Sequence, residues 1–122
     1  MTNSDLSLIM QRTNYLHQRM FQRKACQRAW FFYHFTQWLQ NGVVRFTYWK
    51  DDDTIREARG TLNLQWLVPT AHWPKGAQEP KAKSQEARVN PSIVTYFDLE
   101  KQEWRSFRIE RFIDCSERIS LI

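Results

Sequence analysis

Arginines that alternate with aromatic residues are the feature of this sequence that most directly suggests a chemistry. In the segment "WRSFR", residues 104–108, a strand would place Arg105 and Phe107 on one face and Trp104 and Arg108 on the other. An arginine beside an exposed ring can bind a phosphate while a base stacks on the ring. The alternative interpretation is that the aromatic face is core and that each arginine pairs with a neighbouring carboxylate such as Glu103.

A second group of arginines lies in residues 44–62, "VRFTYWKDDDTIREARGTL". Arg45 and Arg59 are expected near Tyr48 or Trp49, where they would form the basic, aromatic surface that small barrels use to bind single-stranded nucleic acid. The alternative is cross-strand pairing with Glu57 and the aspartates, which contributes little to stability.

The net charge of +5 and the pI of about 9.5 favour an anionic partner such as nucleic acid. Residues 1–42 carry five cations against one carboxylate, and residues 69–92 carry four against two. Arg12, Arg19 and Arg23 are spaced to share one helix face, with Lys24 and Arg28 nearby. The alternative is a solvated basic helix face. The full set predicted to contact nucleic acid is Arg12, Arg19, Arg23, Lys24, Arg28, Arg45, Arg59, Lys75, Lys81, Lys83, Arg105 and Arg108.

The sequence offers little for catalysis or metal binding. His17, His34 and His72 are scattered and form no known ligand spacing, and three consecutive aspartates at residues 51–53 suit a hairpin tip better than a cation site. We therefore expect no enzymatic activity, no cofactor and no metal.

The two cysteines, Cys26 and Cys115, lie far apart, so we expect free thiols in a reducing cytoplasm. No signal peptide is visible, and the longest apolar run is too short to span a bilayer. These features predict a cytoplasmic protein without a membrane partner.

The elements that position these residues can be read from the apolar periodicity. Residues 5–40 have helical spacing and form either one long helix or two shorter ones. Their aromatic rings are too many for one face, so most should pack on the rest of the protein. Any remainder would form an exposed patch for a protein partner or a homodimer.

Beyond Gly42 the period changes from 3.6 to 2. Val44, Phe46 and Tyr48 begin a half-buried strand, residues 51–54 form a tight turn, and residues 55–62 return as a second strand. Gly60 suggests a bulge or bend in that strand.

A second hairpin follows over residues 92–109, and residues 110–122 form either a helical turn with a last short strand or an edge strand. All four prolines fall between residues 69 and 91, which predicts a long, mobile, basic loop. We therefore predict an α+β fold: a small SH3-like (Sm-like) β-barrel of four or five antiparallel strands at residues 43–122, preceded by a helical extension at residues 1–42.

Two stretches carry a resemblance to a known family. "GVVRFTYWKDDDTIREARGTLN" and "VTYFDLEKQEWRSFRIERFI" resemble the small WYL-related, Sm-like SH3 β-barrel family over about residues 42–64 and 92–113. That family usually has Asp-Gly at the first turn, where this chain has Asp52-Asp53. The resemblance implies the barrel fold and a short protein of gut bacteria, their phages or mobile elements. It does not transfer a function.

The function predicted from these observations is that of a non-enzymatic accessory or regulatory protein that binds RNA or single-stranded DNA. Arginine and lysine would contact phosphates, and aromatic rings would stack on bases. The alternative is a protein-interaction module of a phage or mobile element, for example an anti-defence factor that docks on a host protein through the aromatic helix. A third alternative, suggested by analogy with WYL domains, is a small-ligand sensor in the mouth of the barrel.

Overall fold

The structure, a computed structural model, describes residues 1–20, 22–63 and 90–120. Residues 5–40, for which the sequence left one helix or two open, form two helices. The elements are α1 (Asn3–His17), α2 (Gln22–Asn41), β1 (Gly42–Trp49), β2 (Ile55–Thr61), β3 (Ile93–Asp98), β4 (Glu103–Arg108), a 3-10 turn (Ile109–Arg111) and β5 (Phe112–Ser120).

The five strands form one antiparallel sheet in the order β4-β3-β2-β1-β5. β1 and β2 pair without interruption, and the last residues of β2, Gly60 and Thr61, also pair with β3. β5 pairs with the other edge of β1 and contains two register shifts. Bulges of this kind bend a strand and increase its twist, so they help the sheet to curl.

The core lies inside this curled sheet and under α2. Alternate residues of β1, including Phe46 and Tyr48, point inward. The centre of the Tyr48 ring lies 4.8 Å from the centre of the Phe107 ring on β4. Phe32 and Phe35 of α2 are fully buried against the same cluster. The contact between β1 and β4, which are not neighbours in the sheet, shows that the sheet closes around a shared interior.

Two local expectations can be compared with this architecture. The turn after β1 is held by Asp52, whose Oδ1 accepts hydrogen bonds from the backbone and hydroxyl of Thr54, and Asp53 adopts φ 66° without a glycine. Of the bulge or bend predicted at Gly60, the bulge was wrong, because the β1–β2 register is continuous there. The glycine is required instead by packing: a Cβ at that position would lie 2.6 Å from Cδ2 of Tyr96.

The C-terminal region contains both of the elements that the sequence suggested, a helical turn followed by an edge strand of nine residues. The predicted loop at residues 69–91 lies outside the described residues, except for its last two.

Candidate functional site

Arg12 of α1 binds the barrel and not solvent. Its side chain is 4% exposed, and Nε and Nη2 donate hydrogen bonds to the carbonyl oxygens of Pro91 and Ile93 at 3.3 and 3.1 Å. Burial lowers its pKa to about 10 because desolvation penalises the charged guanidinium. The donors of Arg12 are thus buried and satisfied by backbone, which argues against the predicted contact with nucleic acid.

Arg19 also belongs to the contact between the helices and the barrel. Its guanidinium lies 3.8 Å from the centre of the Tyr15 ring, and its Nε is 3.5 Å from Oε2 of Glu110. The Tyr15 hydroxyl donates to the same carboxylate at 2.9 Å. Burial and the hydrogen bond to Glu110 raise the pKa of Tyr15. This network joins α1 to the 3-10 turn that follows β4.

Arg28 makes the corresponding contact from α2. Its Nη1 donates to the carbonyl oxygens of Ile109 and Phe112 at 3.2 and 3.1 Å, across the 3-10 turn. Partial burial lowers the pKa of Arg28. Like Arg12, this arginine donates to two carbonyl groups at the end of a strand, at the start of β3 for Arg12 and around the 3-10 turn between β4 and β5 for Arg28.

The single basic helix face predicted from the spacing of Arg12, Arg19 and Arg23 was wrong. α1 ends at His17, so these three residues do not lie on one helix. The side chain of Arg23 lies outside the described residues. Lys24 is exposed and forms no salt bridge with the described part of the chain.

Arg45 and Arg59 are direct cross-strand neighbours on the outer face of β1 and β2. Their like charges repel, and Arg45 is offset by Glu57, whose Oε1 lies 4.0 Å from Nε. Trp49 lies on the same outer face but at the far end of β1. Tyr48 is buried inside the barrel, so the expected contact of these arginines with it is wrong.

Arg105 is neutralised by two carboxylates. Its Nε lies 3.2 Å from Oδ2 of the buried Asp98, and its Nη2 contacts Glu103. The Nε atom is buried and the Asp98 contact is an ion pair without hydrogen-bond alignment. Pairing with Glu103, the alternative that the sequence offered, is what the structure contains.

Arg108 lines a cleft, together with Arg56. The cleft lies between the tip of the β1–β2 hairpin and the end of β4, and its volume is about 330 Å³. Its lining combines cationic, aromatic and polar side chains. The lining residues are Tyr48, Trp49, Lys50, Asp51, Asp52, Arg56, Ser106, Phe107 and Arg108.

A hydrogen-bonded pair of tyrosines lies at the inner wall of the cleft. The phenol oxygens of Tyr48 and Tyr96 are 2.6 Å apart in a buried hydrogen bond, and burial raises the pKa of Tyr96. Partial burial would lower the pKa of Arg56, but the facing phenols of Tyr48 and Tyr96 raise it above its ordinary value. Arg56 therefore stands charged beside the protonated phenol of Tyr96.

Two cationic residues of the cleft, Lys50 and Arg56, were not in the predicted set. Arg56 is the register partner of Tyr48, and Lys50 follows β1 directly. The pairing of Tyr48 with Arg56 follows from the length of the turn. This pairing was therefore the signal that could have placed Arg56 at the end of the barrel beside Tyr48.

The aromatic helix α2 is used mainly for packing. Phe32 and Phe35 are buried, and Phe31 and Trp38 pack against the same core, whereas Trp30 remains 39% exposed. A groove of about 620 Å³ runs between α2 and the start of β5. Its lining residues are Met20, Lys24, Gln27, Arg28, Phe31, Phe112, Ile113, Asp114 and Cys115.

The remaining predictions concern the cysteines, metal binding, membrane-spanning helices and the lysines of the central loop. Cys26 and Cys115 are free thiols, and burial raises the pKa of Cys115. Within residues 1–20, 22–63 and 90–120, no three His, Cys, Asp or Glu side chains come close enough to hold a metal ion. The helices of the same ranges include none with the length and hydrophobicity needed to cross a membrane. Lys75, Lys81 and Lys83 lie outside the described residues.

Comparison with known proteins gives one match. Residues 32–113, more than half of the chain, match the family model described as WYL_2, Sm-like SH3 beta-barrel fold. No curated protein and no solved structure matches the chain significantly. The match covers the second half of α2 and the sheet as far as the start of β5, the elements that enclose the core. The chain is thus a member of the WYL_2 family and has its Sm-like SH3 β-barrel fold, as the sequence predicted.

Proposed function

We propose that the protein is a non-enzymatic, cytoplasmic accessory protein that binds RNA or single-stranded DNA at the cleft between the β1–β2 hairpin and β4. The observation that carries this proposal is the combination of Trp49, Arg56 and Arg108 around one cleft. Trp49 is 42% exposed and offers its ring to a base. Stacking of a base on an aromatic side chain contributes about 1–3 kcal/mol, whatever the base.

The two arginines supply the phosphate contacts. Neither Arg56 nor Arg108 forms a salt bridge within the part of the chain that the structure describes. A guanidinium group can donate two parallel hydrogen bonds to a phosphate, which fixes its orientation as well as its position. The cleft therefore combines the two kinds of contact that single-strand binding requires.

The proposal of a non-enzymatic role is supported by the composition of the cleft. Its described lining residues include Ser106 as a hydroxyl group but neither histidine nor cysteine. A serine nucleophile needs an adjacent general base to be activated. The lining carboxylate of Asp52 is already hydrogen-bonded to Thr54 and lies 3.9 Å from Nζ of Lys50.

The alternative is a protein-interaction module that docks through the aromatic rings of α2. The structure leaves fewer of these rings exposed than the sequence suggested. Most aromatic rings of α2 pack on the barrel, which leaves Trp30 as the largest exposed ring of that helix. The Trp30 side chain therefore serves as a matched control in the test of the cleft.

The test is a fluorescence anisotropy titration with a labelled twelve-nucleotide single strand, as RNA and as DNA, at 50 and 200 mM salt. For two phosphate contacts on a single strand, we expect affinity to fall about sevenfold between these concentrations. Trp49→Ala should weaken binding by about 1–3 kcal/mol. Trp30→Ala removes an equally exposed ring and should leave the affinity unchanged. Absence of binding at 50 mM salt, or equal losses in both variants, would refute the proposal.

A further inference from the structure

The size of the cleft limits how much of a strand can enter it. Its volume of about 330 Å³ lies at the lower end of the range of roughly 300–1,000 Å³ found for small-molecule pockets. Such a space accommodates a single nucleotide unit and not a run of several. The remaining nucleotides of a bound strand must lie outside it.

The charges of the cleft are unevenly compensated. Lys50 lies 3.9 Å from Asp52, and the nearby Arg111 pairs with Asp53, so these cations are offset by the acidic turn. Arg56 and Arg108 are without such carboxylate partners in the described ranges. Two guanidinium groups thus face one nucleotide-sized space, together with the exposed hydroxyl group of Ser106.

Two positive charges exceed what an internal nucleotide needs. An internal phosphodiester carries one negative charge, whereas a terminal phosphate monoester carries about −1.5 to −2 at pH 7 and has three acceptor oxygens. The lining as a whole carries +1, because Asp51 and Asp52 offset two of its three cations. The two guanidinium groups that have no carboxylate partner nevertheless match the charge and the acceptor oxygens of a terminal phosphate.

The acidic turn points to the same conclusion. Asp51 and Asp52 line the side of the cleft formed by the β1–β2 turn. A strand that continued past this turn would bring its next phosphate toward two carboxylates, and like charges repel. A strand that ends in the cleft avoids this repulsion.

We propose that the cleft receives the phosphorylated end of a single nucleic-acid strand, with the terminal phosphate bound by Arg56 and Arg108 and the terminal base stacked on Trp49. This inference rests on the proposed function and specifies its substrate class.

The test uses one twelve-nucleotide sequence with an internal fluorophore and three kinds of end: a 5′-phosphate, a 3′-phosphate, or hydroxyl groups at both ends. At pH 7.5 we expect one phosphorylated form to bind at least about tenfold more tightly than the hydroxyl form, as an added charge-assisted hydrogen bond would give. The preference should decrease at pH 5.5, because the second ionisation of a phosphate monoester has a pKa of about 6.

Variants identify the residue responsible. Arg108→Gln should bring the affinity ratio of phosphorylated to hydroxyl strands close to one. Arg118→Gln removes the same charge from β5, where Arg118 pairs in register with Val44 and stacks on Trp38, and should leave the ratio unchanged. Equal binding of all three strands would overturn end recognition and leave the proposed function standing. Binding of none of them would overturn both.

Discussion

Replacement of Arg12 by methionine separates a structural role from a nucleic-acid contact. The guanidinium is buried and donates to two backbone carbonyls at the start of β3, 79 and 81 residues away in sequence. Methionine keeps much of the side-chain length and flexibility but has no donor. The variant should lose stability and keep its affinity for nucleic acid.

The size of the loss follows from two opposing effects. Leaving two partly buried carbonyl groups without a donor costs about 1–3 kcal/mol each. The desolvation that lowers the pKa of Arg12 from 12.5 to about 10 corresponds to roughly 3 kcal/mol, and this cost disappears with the charge. The difference leaves a destabilisation of about 1 kcal/mol, and about 3 kcal/mol if the carbonyl groups cannot reach water.

Urea unfolding followed by tryptophan fluorescence measures this free energy, with an unchanged slope as evidence that the denatured state is the same. Lys24→Met is the control, because Lys24 is exposed on the neighbouring helix and its loss should change stability by less than about 0.5 kcal/mol. The reasoning is refuted if Arg12→Met unfolds like the wild type but binds single strands more weakly.

Two further changes test the interior of the barrel. Gly60→Ala should destabilise the protein by about 1–3 kcal/mol in the same assay, because the added Cβ would lie 2.6 Å from the Tyr96 ring and 3.1 Å from that of Phe46; unchanged stability would contradict this packing. The raised pKa of Tyr96 contributes stability that is fully present below the unfolded-state pKa of 10.0 and is lost as the pH rises above it. The free-energy difference between wild type and Tyr96→Phe should therefore shift against the wild type by about 1.4 kcal/mol per pH unit above pH 10; a pH-independent difference would contradict a buried, protonated phenol.

The hairpins could be predicted from sequence because each depends on short-range rules. Alternation of apolar residues places Phe46 and Tyr48 on one face of β1, and aspartates in the turn bond to nearby backbone. These rules need no knowledge of distant residues. The predicted alternation of Arg105 and Phe107 against Trp104 in β4 has the same origin and matches the register with β3.

The roles of the arginines could not be predicted, because they depend on contacts between residues far apart in sequence. Arg12, Arg19 and Arg28 look alike as members of a basic helical segment. Arg12 and Arg28 reach carbonyl groups about 80 residues away, and Arg19 reaches Glu110 at a similar separation. No local pattern indicates which backbone carbonyl groups of the barrel will lack a partner.

Some arginines bind the barrel and others line the cleft, so the net charge of the protein overstates the number of cations that can contact a nucleic acid. A net charge of +5 suggests a broad basic surface. However, three of the five cations in residues 1–42 hold the helices to the barrel. If all twelve residues predicted from sequence contacted phosphates, the logarithm of affinity would fall against that of salt with a slope of about −8, whereas contacts by Arg56 and Arg108 alone give about −1.4. A measured slope near the smaller value would place the phosphate contacts in the cleft. A slope steeper than about −3 would require more phosphate contacts than the cleft can provide, and the binding site would then have to extend beyond it.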